Sequence, residues 1–161
     1  MRCSNRIRLA LLFIALVIAA PLLLARFADS APPAAKTEDF TGKVVPLAGP
    51  LEKLGATLDK DAGPFWLALV TDDGKTYPLI KDAGSRMFFK DKQLLDRPMR
   101  LTGRLCGDTK LLQVLSVHSL VKGVLHEPYY WCDVCKIKRL EAGNCDCCGA
   151  PLEFREVRVE K

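Results

Sequence analysis

Hydrophobic positions run along this chain in three rhythms. From Leu9 to Ala25 they are continuous, 17 residues without a charge, flanked by Arg8 and Arg26. Between residues 41 and 120 they fall into short stretches separated by Gly, Pro and Asp, the pattern of half-buried strands joined by turns. Beyond residue 130 the pattern gives way to cysteines.

The middle stretch predicts a mainly β fold. Thr41–Leu47 reads as a first strand, and Gly49 to Gly63 as a long loop. Phe65–Thr71 is followed by Asp72-Asp73-Gly74, a hairpin turn that returns the chain along Lys75–Ile80. Ser85 is expected to cap a short helix in which Met87 and Phe88 recur as Leu94 and Leu95. Met99, Leu101, Gly103 and Leu105 alternate with Arg100, Thr102 and Arg104, which makes a half-buried strand with an inward apolar face. Leu111–Leu120 reads as a fifth strand, but its apolar positions do not single out one face.

The N-terminal run, as a helix rising about 1.5 Å per residue, just reaches across a hydrocarbon layer of about 30 Å. It is longer than a usual signal-peptide core, so a signal-anchor over residues 1–27 is expected, followed by a linker over 28–39 that contains Pro32 and Pro33. Ala28 and Ser30 before Ala31 form an alternative cleavage site, in which case the protein is secreted. Arg2, Arg6 and Arg8 hold the N-terminus on the cytoplasmic side, which places the rest of the chain outside, on the periplasmic face of a bacterial inner membrane.

The net charge of +5 changes little once it is located, since the arginines of the first 30 residues supply most of it. A concentrated basic face, which nucleic-acid binding requires, is not indicated. The strand, strand, strand, helix, strand, strand order, with the phrase Met99-Arg-Leu-Thr-Gly-Arg-Leu followed by Leu111–Leu120, resembles small exported bacterial OB-fold domains over residues 40–122. That resemblance implies a five-stranded barrel with one short helix. Trp66 and Tyr77 fall where such barrels stack bases on strands two and three, but without a basic groove they are expected to pack in the core.

Five of the seven cysteines lie between positions 132 and 148, as Cys132-Asp-Val-Cys135, nine residues, then Cys145-Asp-Cys147-Cys148-Gly149. Two facing Cys-x-x-Cys turns place four thiolates at the corners of a tetrahedron, which suits zinc and also iron. Residues 123–161 therefore resemble a zinc ribbon or the knuckle pair of rubredoxins, which implies Cys132, Cys135, Cys145 and Cys148 as metal ligands. A nine-residue spacer and the extra Cys147 depart from that pattern. Cys106 beside Gly107 reads as a small, partly buried residue.

Three other uses compete. Cys106 and the five clustered cysteines make six, enough for three disulfides in an exported protein. Trp131-Cys132-Asp-Val-Cys135-Lys136 resembles the active site of thioredoxin-like enzymes, which implies a thiol–disulfide oxidoreductase. His126-Glu-Pro-Tyr-Tyr130 directly after the barrel resembles the haem chaperone of cytochrome c maturation, which implies haem attachment by His126 assisted by Tyr130. Tyr129, Tyr130 and Trp131 are expected to cover the junction between barrel and knuckle. The chain shows no nucleophile–base pair, paired-carboxylate site or phosphate loop. The expectation is a non-enzymatic binding or scaffold module, for a protein or small-ligand partner and not for nucleic acid. A rubredoxin-like electron carrier is the alternative.

A reporter fused after Lys161 is expected to be active outside the cytoplasm, and the protein to resist carbonate extraction. Cytoplasmic reporter activity defeats the export reading, whereas release by carbonate defeats only the anchor.

Overall fold

A computed structural model of the 161-residue chain describes residues 36–160. The apolar run Leu9–Ala25, the alternative cleavage site and most of the linker lie outside the described residues. Among the described residues no helix is long and apolar enough to cross a membrane.

Among the described residues eight antiparallel strands form the framework: β1 Glu38–Pro46, β2 Leu67–Thr71, β3 Thr76–Pro78, β4 Pro98–Leu105, β5 Leu112–Val121, β6 Val124–Cys132, β7 Ile137–Arg139 and β8 Glu153–Arg158. They pair in the order β3-β2-β1-β4-β5-β6-β7, with β8 added on β6. Past the end of β3, Leu79 makes a parallel bridge to Leu112 at the start of β5, and the Ile80 amide donates to the Leu112 carbonyl at 3.0 Å. The pairings of β1 to β5 thus close into a circuit. Within it Gly42 permits one close approach: a Cβ there would overlap the Val70 carbonyl oxygen of β2.

The circuit encloses a core of Val44, Leu69, Met99, Leu101, Leu112 and Val114, each at most 1% exposed. Inward alternation along β4 is as the sequence predicts, with Met99, Leu101 and Gly103 buried and Leu105 half-buried. Helix α2, Arg86–Lys90, presses Met87 and Phe88 onto this core. Tyr77 packs edge-on against Phe40 with ring centroids 5.1 Å apart.

Four local expectations are corrected. The loop after β1 contains a short helix, α1, Ala48–Glu52, since Gly49 and Pro50 fall in a first turn, where Pro costs no hydrogen bond. Ser85 occupies the position before α2 but does not cap it. Its hydroxyl donates to the Ile80 carbonyl, and Asp82 Oδ1 instead accepts from the Gly84 and Ser85 amides. The helix ends at Lys90 without reaching Leu94, because Asp91 turns extended and its carboxylate accepts from the Gln93 amide at 2.9 Å, which starts a separate 3-10 turn, Lys92–Leu94. Trp66 precedes β2 and is 49% exposed, beside Phe65 at 64%, so it is not a core residue.

The unassignable face of β5 has a definite cause. Thr102 pairs with Ser116 but Gly103 with Val114, so Leu115 is an extra, bulged residue. A bulge reverses the alternation: Leu112 and Val114 point inward before it and Ser119 after it, while Leu115 is left outside.

β6 continues from β5 through the Lys122-Gly123 turn, and both turn residues have positive φ. It then pairs with β7 and β8. Its residues Pro128, Tyr130 and Cys132 are buried in succession. Tyr130 is 2% exposed, belongs to the same hydrophobic cluster as Val44 and Leu101, and lies 5.4 Å from the Phe154 ring of β8. The chain segments 40–122 and 123–160 therefore share one sheet and one core. β8 is held further by Glu156, whose Oε1 accepts from the buried Ser119 hydroxyl at 2.6 Å and from Arg97 at 2.7 Å.

Replacing Gly42→Ala is expected to lower stability by about 1–3 kcal/mol, the usual cost of forcing a methyl into packed backbone. Urea denaturation of the two proteins reads it, and equal midpoints would mean that β1 and β2 separate at no cost.

Candidate metal centre

The first knuckle grows out of β6. Cys132 is the last residue of that strand and pairs with Ile137 of β7, so Asp133 to Lys136 form the hairpin's turn. The Lys136 amide donates to the Cys132 carbonyl at 2.8 Å, and the Cys135 amide donates to Cys132 Sγ at 3.4 Å. The second knuckle repeats this turn: the Gly149 amide donates to the Cys145 carbonyl, again at 2.8 Å. It is closed by a small hairpin in which Asn144 bridges Pro151 and the Cys145 amide reaches the Ala150 carbonyl at 2.7 Å. In both turns the residue after the second cysteine is left-handed, with φ of 56° at Lys136 and 73° at Gly149. The sequence flags that position only where it is glycine. Comparing the two knuckles residue by residue would have flagged Lys136, which carries the strain of a Cβ in that region.

The Sγ atoms of Cys132, Cys135, Cys145 and Cys148 all lie within 4.8 Å of one another, and Cys132 and Cys148 are 3.5 Å apart. Four metal–sulfur bonds of about 2.3 Å require sulfurs roughly 3.8 Å apart at the corners of a tetrahedron. The donor set and the spacing fit a metal ion of the zinc or iron kind, and these four cysteines are positioned to bind one. Cys132 and Cys145 are buried, Cys135 is half-buried and Cys148 is exposed. Cys147 is exposed and is not one of the four.

The crowded sulfurs and the amides around them shift two of these thiols in opposite directions. The neighbouring thiols, Cys148 first and Cys147 next, push the Cys135 thiol well above its ordinary range. The Cys145 thiol is drawn down to about 7, chiefly by the backbone N–H groups of Cys148 and Cys147. Backbone amides aimed at sulfur favour the thiolate, the form a metal requires.

Side chains around the knuckles fix their tips. Asp133 accepts from the Trp131 indole at 3.0 Å and from Arg155 at 3.2 Å, and the Arg155 guanidinium lies 5.3 Å from the Trp131 ring centroid. The Trp131 hydrogen bond, with Arg155 and Lys136 nearby, holds the Asp133 carboxyl below its ordinary range. Lys138 sits 4.4 Å over Tyr129, and Arg139 pairs with Asp146 at 3.1 Å, tying β7 to the second knuckle. None of these partners is legible in the sequence, because β8 contributes Arg155 from 22 residues away.

The other sequence candidates land elsewhere. His126 and Tyr130 lie on β6, about 13 Å apart along the strand. His126 Nδ1 is 3.0 Å from the Val124 carbonyl. Tyr130 is buried and donates its hydroxyl to Asp91 at 2.6 Å. Desolvation first, and Asp91 next, hold that hydroxyl protonated far above its ordinary range. Cys132 stands at a strand end and not at the helix N-terminus that activates thioredoxin-like cysteines. Cys106 is half-buried just past β4, with its amide on the Leu111 carbonyl. No protein-family model, no curated protein and no solved structure matches this chain.

Serine at Cys132, Cys135, Cys145 or Cys148 is expected to release the metal or weaken its binding greatly, whereas Cys147→Ser keeps one metal per chain. Metal content across the five variants decides the assignment. Loss of metal in Cys147→Ser with retention in Cys145→Ser or Cys148→Ser would reverse it.

Proposed function

We propose that this protein is a membrane-anchored, exported binding or scaffold module of OB-like architecture, whose C-terminal segment is folded around a structural zinc ion. The observation that carries this reading is the convergence of four cysteine sulfurs from two equivalent turns. Four thiolates satisfy a tetrahedral ion fully and leave no position for a substrate or an activated water, so the ion's part is to hold the two knuckles together. Cys132, Cys135, Cys145 and Cys148 would hold it. The OB-like reading is supported by the closed circuit of β1 to β5 with α2 between β3 and β4. The anchor and the export rest on the apolar run and its arginine flanks.

Binding is read as directed to a protein or a small ligand. A cleft of about 560 Å³ between α2 and the segment after β7, walled by Arg86, Lys90, Arg139 and Leu152, offers room for a small ligand. The solvent-side aromatics of β6, Tyr129 and Trp131, carry the cations Lys138 and Arg155 on their faces, and Glu127 and Glu153 pair with those cations. That balance of charge favours a partner other than nucleic acid. The second reading, a rubredoxin-like electron carrier, draws on the same four sulfurs and on the exposure of Cys148, which brings one edge of the centre to solvent.

Metal analysis of the purified full-length chain tests the choice. A colourless protein with one zinc per chain, whose melting temperature falls on chelation, is the expected result. A red protein containing iron supports electron transfer instead. A metal-free protein with a cycling disulfide supports a thiol oxidoreductase.

A further inference from the structure

The cleft beside α2 gathers more positive charge than its own carboxylates neutralise. α2 lines one wall with Arg86 and Lys90, which stand four residues apart and so share a helix face, while Met87 and Phe88 press onto the core. The segment from Arg139 to Asp146 forms the facing wall, and Ala142 and Leu152, both packed against the core, supply apolar lining. Arg86 Nη1 reaches Glu141 of the facing wall at 3.4 Å, and Arg139 meets Asp146 through Nη2 at 3.1 Å. Lys90 has no ion-pair partner among the described residues. The Nε of Arg139 is buried without a hydrogen-bond partner, which is unusual for a buried N–H donor. Lys138 also borders the cleft, but its ammonium is engaged by Glu127 at 2.7 Å and by the Tyr129 ring. Three cations therefore share the cleft with two carboxylates, Glu141 and Asp146.

We propose that this cleft binds a small organic anion, its carboxylate or phosphate head held by Lys90 and Arg139 and its short apolar body lying against Ala142 and Leu152. This deepens the small-ligand reading of the cleft and rests on it and on the four-cysteine metal site. Carboxylate and phosphate share the paired oxygens that match the edge of a guanidinium, and an ammonium adds a point charge to either. A cleft of about 560 Å³ is in the range of small-molecule sites, which combine apolar lining with a few polar groups. The wall that carries Arg139 runs directly into the second knuckle. Asp146 follows Cys145 in the chain, and the hairpin that holds Cys145 is closed by the Leu152 amide on the Gly143 carbonyl at 3.0 Å. An ion held by Cys145 therefore also fixes this wall, so metal and anion support each other's binding.

The test is isothermal titration calorimetry of the full, zinc-loaded chain at low ionic strength with phenyl phosphate, benzoate and the uncharged benzyl alcohol. Phenyl phosphate or benzoate is expected to bind at a single site, the tighter of the two identifying the head group, and benzyl alcohol not to bind. Lys90→Gln and Arg139→Gln are each expected to weaken that binding about tenfold, the worth of one charge-assisted contact. Lys92→Gln, which removes the same charge from the 3-10 turn outside the cleft, is expected to leave it unchanged. Stripping the zinc with EDTA, followed by dialysis, is expected to abolish binding. A zinc-loaded chain that binds neither anion overturns the proposal and leaves the metal reading standing. Benzyl alcohol bound as tightly as the anions overturns the anionic class but keeps the small-ligand reading. Equal affinities for the parent and Lys90→Gln overturn the placement of the site, and binding unchanged by zinc removal overturns its link to the knuckle. Zinc content of the same samples reports the metal reading separately.

Discussion

Strand β6 has to satisfy two environments with one face. Side chains two residues apart on a strand point the same way, so Pro128, Tyr130 and Cys132 form a single buried row. Tyr130 enters the apolar core and Cys132 enters the sulfur cluster. The segment after residue 123 is too short to bury a core of its own, and chains of that size usually need a metal or disulfides. Here it borrows the core of the β1–β5 circuit through Tyr130, Leu152 and Phe154, and adds the cysteines at the far end of the same strand. The position of Cys132 is thereby set by the packing of Tyr130.

That coupling explains why polar groups are buried around β6 and β8. Tyr130 takes its hydroxyl into the core, a cost offset by its hydrogen bond to Asp91, itself the residue that ends α2. Burial pulls the Asp91 carboxyl upward, yet the hydrogen bonds from Tyr130 and Gln93 outweigh it and leave the group below its ordinary range. A second contact, Glu156 with Ser119 and Arg97, fixes β8 against β5 from the other side. Between them these two contacts orient the three-stranded ribbon, and ion pairs at the exposed knuckle tips need only tune it.

The cysteine quartet was legible because metal chemistry demands a spacing that the chain must display locally. Strand order was legible for a similar reason: alternation along β4 and the Asp72-Asp73-Gly74 turn are local signals. What escaped the sequence depends on partners distant in the chain. Leu115 bulges because of its register with β4, and the reversed phase that follows hides the inward face of β5. Ser85 resembles a cap but is drawn to Ile80, and Trp66 resembles a core aromatic but lies outside the strand it was assigned to. The spacing of His126 and Tyr130 suggested a haem site, whereas the alternation of a strand accounts for Tyr130 as a core residue.

The backbone does not hold the two knuckles alike. Backbone pairing carries β6 up to Cys132 and a small hairpin outside the sheet up to Cys145, and a four-residue turn follows each. One turn relieves its left-handed corner with Gly149, while the other places Lys136 there, a conformation that costs about 1–2 kcal/mol for a residue with a Cβ. The first knuckle is therefore the more strained of the two, and Cys135 stands directly before that corner.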